Sequence, residues 1–393
     1  MVWISSFLYK KHYFSILAVP NQIFQLKATF FTRFPLYFLI VFCWNCQPKK
    51  PISIDLSNEI VVPKTYVAHR ASDDIQIDGK ADEESWKNAK YTSTFIDIEG
   101  VKTPSQKTQV KMLWDDTYLY IYAKLYEKHI WGDLTKRDAV IFYNNDFEVF
   151  IDPSNTTHNY GEIEINALGT IWDLSLSKPY YLGGKAKNSW NLNRLKSAVF
   201  IDGTINDATD IDNFWSVEMA IPLANLYELK AGRSGIPKNG EQWRINFSRV
   251  EWDFDLKNSS YSRKKVEEKY LPEYNWVWSN QGVINMHLPE NWGYLQFSDQ
   301  EPTKKIPFNN QTDHIAEQLS YALFREIGFK TLKKLTTDPT VTYINFTIIE
   351  HDNCQLEASF LKTFAGFTLT TKNLKTGAIY IIKEDGSIIR KSA

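Results

Sequence analysis

Cysteine is scarce in this chain: there are 3, at Cys43, Cys46 and Cys354, and the first two close an apolar run. That excludes a disulfide framework. With no second Cys or His pair near Cys43 and Cys46, it also leaves no zinc or redox pattern. An excess of charge is missing too. Lys+Arg number 45 and Asp+Glu 46, for a net charge of -1. This argues against a nucleic-acid binder, whose footprint is a basic patch or stripe, and is compatible with a neutral ligand. The 7 histidines are scattered and form no H-E-x-x-H. No G-x-S-x-G elbow and no phosphate-cradling glycine loop occurs. What is plentiful is aromatic: 13 Trp and 21 Tyr. Most such rings belong in a core, while a few can serve as platforms on which the C–H faces of sugar rings stack.

With 393 residues there is room for two or three domains of about 100–200 residues each. Residues 1–46 read as a signal or leader segment. Lys27 and Arg33 precede the apolar stretch 34–44, which suits the apolar region of a signal peptide and is short for a membrane span. Cys46, followed by Gln47-Pro48-Lys49-Lys50, resembles the lipidated cysteine of a bacterial lipoprotein signal, with Cys43 as the alternative. This predicts export across the inner membrane to the cell envelope and a lipid anchor in the outer membrane or periplasm. A polar tether over 47–61 follows.

Residues 62–298 read as all-β. Alternation marks strands at 109–114 and 118–125, joined by Asp115-Asp116 in a hairpin, then at 146–153, 162–167, 170–176, 196–201, 215–222, 243–250 and 293–297. Many short strands with regular turn signals imply an antiparallel β-sandwich or barrel. The helix candidates are short, at 83–88 and 223–229. Residues 299–311 form a polar linker, and 312–393 a small α+β appendage. Its helix, capped by Thr312-Asp313, runs to Ile327 and precedes strands at 341–350, 355–360, 367–371 and 378–383, with turns such as Asp385-Gly386.

Period two divides the strands at 147–152 and 162–166. Phe147, Val149, Ile151, Ile163 and Ile165 face a core. Glu148, Glu162, Glu164 and Asn166 share the opposite face if the strands pair. Carboxylate and amide oxygens accept from sugar hydroxyls, and the amide also donates, so this face is either a sugar site or a solvated outer face. Arg249 and Glu251 fall on one face of their strand as a second polar pair, either lining a site or forming a structural ion pair.

The order of motifs resembles carbohydrate-binding module family 9 and the wider DOMON-like sandwiches. Ile77-Asp78-Gly79 with Asp82-Glu83-Glu84-Ser85-Trp86 opens the series. Trp114-Asp115-Asp116-Thr117-Tyr118-Leu119-Tyr120, Asn145-Asp146-Phe147-Glu148-Val149-Phe150-Ile151-Asp152, Val217-Glu218-Met219-Ala220-Ile221-Pro222 and Trp292-Gly293-Tyr294-Leu295 follow. The resemblance implies a jelly-roll or immunoglobulin-like sandwich with a sugar site on the concave face of one sheet. It implies non-catalytic binding of an oligo- or polysaccharide beside glycoside hydrolases, and no required cofactor, although some members bind calcium structurally. Glu148 matches a sugar-contacting Glu of the family. Glu164 departs, because the family's binder has an Arg on that strand, and Phe142 and Asn285 fall near the places of its tryptophan clamp. Trp131, Trp276 and Trp278 are candidate substitutes for that clamp. Trp86, Trp114 and Trp292 are expected as core anchors, with Trp172 and Trp190 open. Two alternatives accompany this reading. One is a DOMON-type haem domain with ligands among Met112, Met219, Met286 and His287. The other is an interaction protein with a decayed sugar site. Glu148 and Glu164 as a glycosidase pair are a weaker reading, because neighbouring strands bring carboxylates within about 5 Å in any sheet.

Overall fold

The computed structural model describes residues 50–257, 259–310 and 313–392. Cys43 and Cys46, with the rest of the leader and the first residues of the tether, lie outside them, as does Thr312 of the expected helix cap. Among the described residues no helix is long and apolar enough to cross a membrane.

The alternation between 62 and 298 is realised as one 13-stranded sheet. Its strands are β1 (Thr65–Arg70), β2 (Ile96–Asp97), β3 (Thr108–Trp114), β4 (Tyr118–Tyr126), β5 (Asp146–Asp152), β6 (Tyr160–Asn166), β7 (Ile171–Leu176), β8 (Ala186–Lys187), β9 (Lys196–Asp202), β10 (Phe214–Pro222) and β11 (Gln242–Glu251). Two small hairpins follow, β12 (Phe254–Lys257) with β13 (Ser260–Arg263) and β14 (Lys265–Val266) with β15 (Lys269–Tyr270). Then come β16 (Tyr274–Val277) and β17 (Gly293–Ser298). The order across the sheet is β8-β7-β6-β5-β11-β17-β1-β3-β4-β10-β9, with β16 pairing β11 and β2. β1 runs parallel to both β17 and β3.

The two halves of this sheet bury a shared core. Val110 and Met112 of β3, Phe147, Val149 and Ile151 of β5, Val217 and Met219 of β10, and Ile245 and Phe247 of β11 are all fully buried in it. Each such side chain contributes roughly 1.5–3 kcal/mol by leaving water. Trp86, Trp114 and Trp292 are buried, as expected of core anchors. Trp86, on the short helix α1 (Glu84–Asn88), donates from Nε1 to Glu218 Oε1 at 2.9 Å. The other oxygen of Glu218 accepts from the backbone N–H groups of Asp78 (3.0 Å) and Gly79 (3.1 Å). Gly79 has φ +89°, and a Cβ there would lie 2.6 Å from Phe200 N, so only glycine fits. The segment expected as a helix at 223–229 is a 3₁₀ turn, Leu223–Tyr227, which buries Leu223 and Leu226.

The appendage is a six-stranded sheet under a helix. Helix α2 (His314–Phe329) begins at Asp313, whose carboxylate accepts from Ala316 N at 3.2 Å, a standard N-cap. A second, short helix, α3 (Lys334–Thr337), follows. The strands are β18 (Tyr343–Asn345), β19 (Ile349–His351), β20 (Cys354–Thr363), β21 (Gly366–Asn373), β22 (Ile379–Lys383) and β23 (Ile388–Lys391). Leu319, Leu323 and Ile327 of α2 pack on Leu356, Phe360, Leu369 and Ile382. The strand expected at 341–350 is broken in two. Ile52 pairs there instead, donating to Asn345 O (3.1 Å) and accepting from Thr347 N (2.9 Å). Leu56 of the same N-terminal stretch is buried in the appendage core.

Candidate functional site

The strand parity expected from the sequence decides what the β5–β6 hairpin presents. With the apolar residues turned into the core, Asp146, Glu148, Glu162 and Glu164 lie on the other face. Register sets Glu148 directly opposite Glu164, and Phe150 opposite Glu162. Next along, β7 places Trp172 opposite Glu164 and Leu174 opposite Glu162, while β11 places Ser248 opposite Glu148. Over this face lies a cavity of about 430 Å³. Glu148, Glu162 and Glu164 line it together with Phe142, Phe150, Trp172 and Tyr180, and Glu273, Asn275, Asn285, Met286 and His287 are also on its wall.

The carboxyl groups are not a solvated face. Glu148 and Glu162 are 5% exposed, Glu164 1% and Asp146 0%. Burial, with Glu273 adding to it, pushes Glu148 up to about 7. Burial and then the neighbouring carboxylates hold Asp146, Glu162 and Glu164 well above the usual carboxylate range. Among the described residues no Lys or Arg lines the cavity. Burial lowers His287 to about 4, so it is neutral at pH 7, and its Nδ1 shares a hydrogen bond with Tyr160 Oη at 2.9 Å. Glu164 accepts from Phe142 N–H at 3.0 Å. Trp172 Nε1 is buried with no partner among the described residues. The cavity therefore offers hydroxyl-binding carboxyl groups, amides at Asn275 and Asn285, a spare indole donor and the rings of Phe142, Phe150, Trp172 and Tyr180.

Residues 77–263 match the family model described as carbohydrate family 9 binding domain-like. This part of the chain is similar to the family 9 binding domains. Two relatives match over short stretches, and the chain spans a small part of their length. The chain is 33% identical over 87 residues to endo-1,4-beta-xylanase C of Paenibacillus barcinonensis, covering 22% of this chain and 7% of the xylanase. It is 31% identical over 150 residues to endo-1,4-beta-xylanase A of Thermoanaerobacterium saccharolyticum, covering 38% of this chain and 11% of that one. Among solved structures, a family 9 carbohydrate-binding module from Caldicellulosiruptor kristjanssonii in complex with cellotriose aligns at 15% identity with a TM-score of 0.39, over 63% of this chain and 100% of that one.

The residues singled out from sequence separate into groups. Glu148 and Glu164 meet at the cavity. Asn166 does not line it. Its Nδ2 donates to Leu134 O (2.8 Å) and Asn144 Oδ1 (3.1 Å), and its Oδ1 accepts from Leu168 N and Thr170 N. That makes it the organiser of a turn. Arg249 and Glu251 share the parity of Trp243, Ile245 and Phe247, so they point between the sheets, away from Glu148. Arg249 is fully buried, bonded to Glu127, to Glu251 at 2.8 and 3.0 Å, and to Tyr126 O at 2.8 Å, with its guanidinium 5.1 Å from the Trp276 ring centroid. Trp276, Glu251 and Glu127 border a separate cavity of about 570 Å³. That cavity is larger, and of its charged groups Glu127 and Glu251 are held by Arg249. Trp278 is core, packed on Phe247 and against Gly293. Trp131 packs with Val250 and Trp252 and stacks on Tyr261 at 6.2 Å. None of these three tryptophans lines the cavity over Glu148. Phe142, Asn285 and Trp172 do, whereas Trp190 is in the core. Of the haem-ligand candidates, Met112 and Met219 are interior to the sandwich core, and Met286 and His287 line the cavity. The Met112 and Met219 thioethers thus lie on the opposite side of the sheet from His287.

Of the cavity wall, sequence reasoning placed Glu162 on the shared polar face without singling it out and named His287 only as a haem-ligand candidate, and it missed Tyr180. Glu162 was legible, since it shares its parity with Glu164. Tyr180 and His287 come from loops whose course no periodicity announces.

Proposed function

We propose that the family 9 domain binds carbohydrate without cleaving it, in the cavity over Glu148, Glu162 and Glu164. The observation that carries this reading is the juxtaposition of Phe142, Trp172 and Tyr180 with buried carboxyl groups, of which Glu162 Oε2 has no partner among the described residues. A sugar ring needs an aromatic face for its C–H surface and polar groups for its hydroxyls, and a pocket needs only a few of the latter. Cleavage is disfavoured by placement. Glycoside hydrolysis uses two carboxyl groups flanking the scissile bond, whereas Glu148 and Glu164 stand side by side on one sheet face and approach a ligand from the same side. The protein then serves as an accessory to glycoside hydrolases, exported to the envelope and anchored through Cys46, delivering polysaccharide to enzymes that cut it.

Affinity gel electrophoresis against a broad panel of soluble polysaccharides tests this. At least one should retard the protein. Trp172→Ala should weaken that retardation about tenfold or more, in line with roughly 1.5 kcal/mol for a lost aromatic platform. Free migration on every member of the panel contradicts the proposal.

A further inference from the structure

A second cavity, of about 330 Å³, lies where the end of α2 meets residues 58–61 and the segment 281–291. It adjoins the sugar cavity without being part of it. Asn285 lines both, but Tyr181 and Val283 line this one, whereas their chain neighbours Tyr180 and Ile284 line the other. Its body is apolar, made by Val61, Tyr181, Val283, Leu288 and Phe329. The Tyr181 and Phe329 rings meet edge to face, with centroids 5.6 Å apart. Backbone contacts fix one side of it. Ile98 O accepts from Gln281 N (2.7 Å) and Gly282 N (3.2 Å), and a Cβ on Gly282 would lie 2.9 Å from Val61 Cγ2. Two side-chain amides of the wall, at Gln281 and Asn291, are only half bonded. Gln281 Nε2 donates to Ser279 O at 3.0 Å, and Asn291 Nδ2 to Gln281 O at 2.9 Å. Those carbonyl acceptors fix which end of each amide is the nitrogen. Gln281 Oε1 and Asn291 Oδ1 are left over, buried with no partner among the described residues. Gln281 is 1% exposed and Asn291 2%. A buried acceptor without a donor is costly and asks for an explanation.

We infer that this cavity is a second binding site, for a neutral phenol or aromatic alcohol. Its volume falls within the roughly 300–1,000 Å³ of small-molecule sites, and such sites are mostly apolar with a few placed polar groups. The two free amide oxygens require a guest that brings hydrogen-bond donors, and they disfavour an anion. Arg325 and Lys330 on the same wall disfavour a cation. Both are already engaged, Arg325 by Glu290 and Glu59, and Lys330 by Glu59 (2.8 Å) and Glu326 (3.3 Å). They leave little to match hydroxyls all round a sugar ring, so the guest is less polar than the ligand of the neighbouring cavity. Tyr181 and Phe329 favour an aromatic body, because edge-to-face and offset contacts with it extend their own packing. The inference does not rest on carbohydrate binding.

The test is a saturation-transfer NMR titration of p-cresol against the full chain, with no sugar present. The control probe is 4-methylanisole, of like shape but with no proton to donate. Binding of p-cresol should be half-saturated below about 5 mM and about threefold or more tighter than that of 4-methylanisole. Phe329→Ala should weaken p-cresol about fivefold or more. Phe329 is 47% exposed, so this variant should keep the fold. Gln281→Met preserves side-chain length, removes one acceptor and should narrow the difference between the two probes. Unfolding midpoints of both variants separate loss of the site from loss of the fold. No saturation by about 5 mM, or equal affinity for the two probes, overturns the inference. Unchanged binding in a folded Phe329→Ala also overturns it. A loss in Trp172→Ala in place of Phe329→Ala puts the phenol in the sugar cavity and overturns it as well. Failure of the polysaccharide panel leaves this result unaffected, so the two readings fail separately.

Discussion

At the scale of single residues, the same chemistry has opposite meanings on the two faces of β11. Arg249 and Glu251 attract notice in the sequence as a charged pair fit to line a site. In the fold their parity sends them inward, where Arg249 holds Glu127 and Glu251 in a buried cluster. Removing one partner of such a cluster leaves uncompensated buried charge. Arg249→Met should therefore destabilise the protein by about 3–5 kcal/mol in denaturant unfolding while leaving polysaccharide retention unchanged in the protein that remains folded. Glu148, one strand over and on the other face, should behave in the reverse sense. Its oxygens face a cavity, and its removal should spare stability and impair binding. The residue alphabet does not distinguish these two glutamates, Glu148 and Glu251; the face does.

At the scale of elements, alternation made most of the sandwich legible, and the face carrying Glu148, Glu162 and Glu164 followed from it directly. The failures have local causes. β1 was missed because its TYVAHR segment buries only Ala68 fully and shows no alternation; its place between β17 and β3 is set by partners far away in the chain. The split of 341–350 into β18 and β19 reflects competition from Ile52, which takes hydrogen bonds from both sides of Phe346. Motifs were legible singly, but their contact was not. Asp78-Gly79 and Trp86 from the opening motif converge on Glu218 of β10, which neither segment announces. The cavity was half legible for the same reason. Its strand-borne carboxyls and Trp172 follow period two, whereas Tyr180 and His287 arrive on loops. Phe142 and Asn285 were locatable only through the family resemblance.

At the scale of the whole molecule, the appendage is joined to the sandwich by charge. Glu317 of α2 is fully buried and bonds Arg244 of β11 and, at 2.8 Å through two parallel bonds, Arg390 of β23. Tyr321 Oη and Thr157 Oγ1 share a further bond at 2.8 Å across the same junction. Burial alone would raise the Glu317 carboxyl, but Arg390 and Arg244 outweigh it and hold it down to about 2. A group whose folded value lies below its unfolded value of about 4.3 contributes stability that is complete above the unfolded value and is lost as pH falls through the folded one. Stability should therefore decline between about pH 4.5 and pH 2, and Glu317→Gln should flatten that acid limb while lowering stability at pH 7. Unfolding midpoints measured across this range check both statements.

The central claim is that the cavity over the β5–β6 face holds carbohydrate. Isothermal titration of the best-retained oligosaccharide into the wild type and Glu148→Ala tests it most directly. The account predicts one site per chain and a loss of affinity of about tenfold or more in the variant, as expected for a buried carboxyl that accepts from sugar hydroxyls. Equal affinity and enthalpy in the two proteins, with both folded, would place the ligand elsewhere and contradict it.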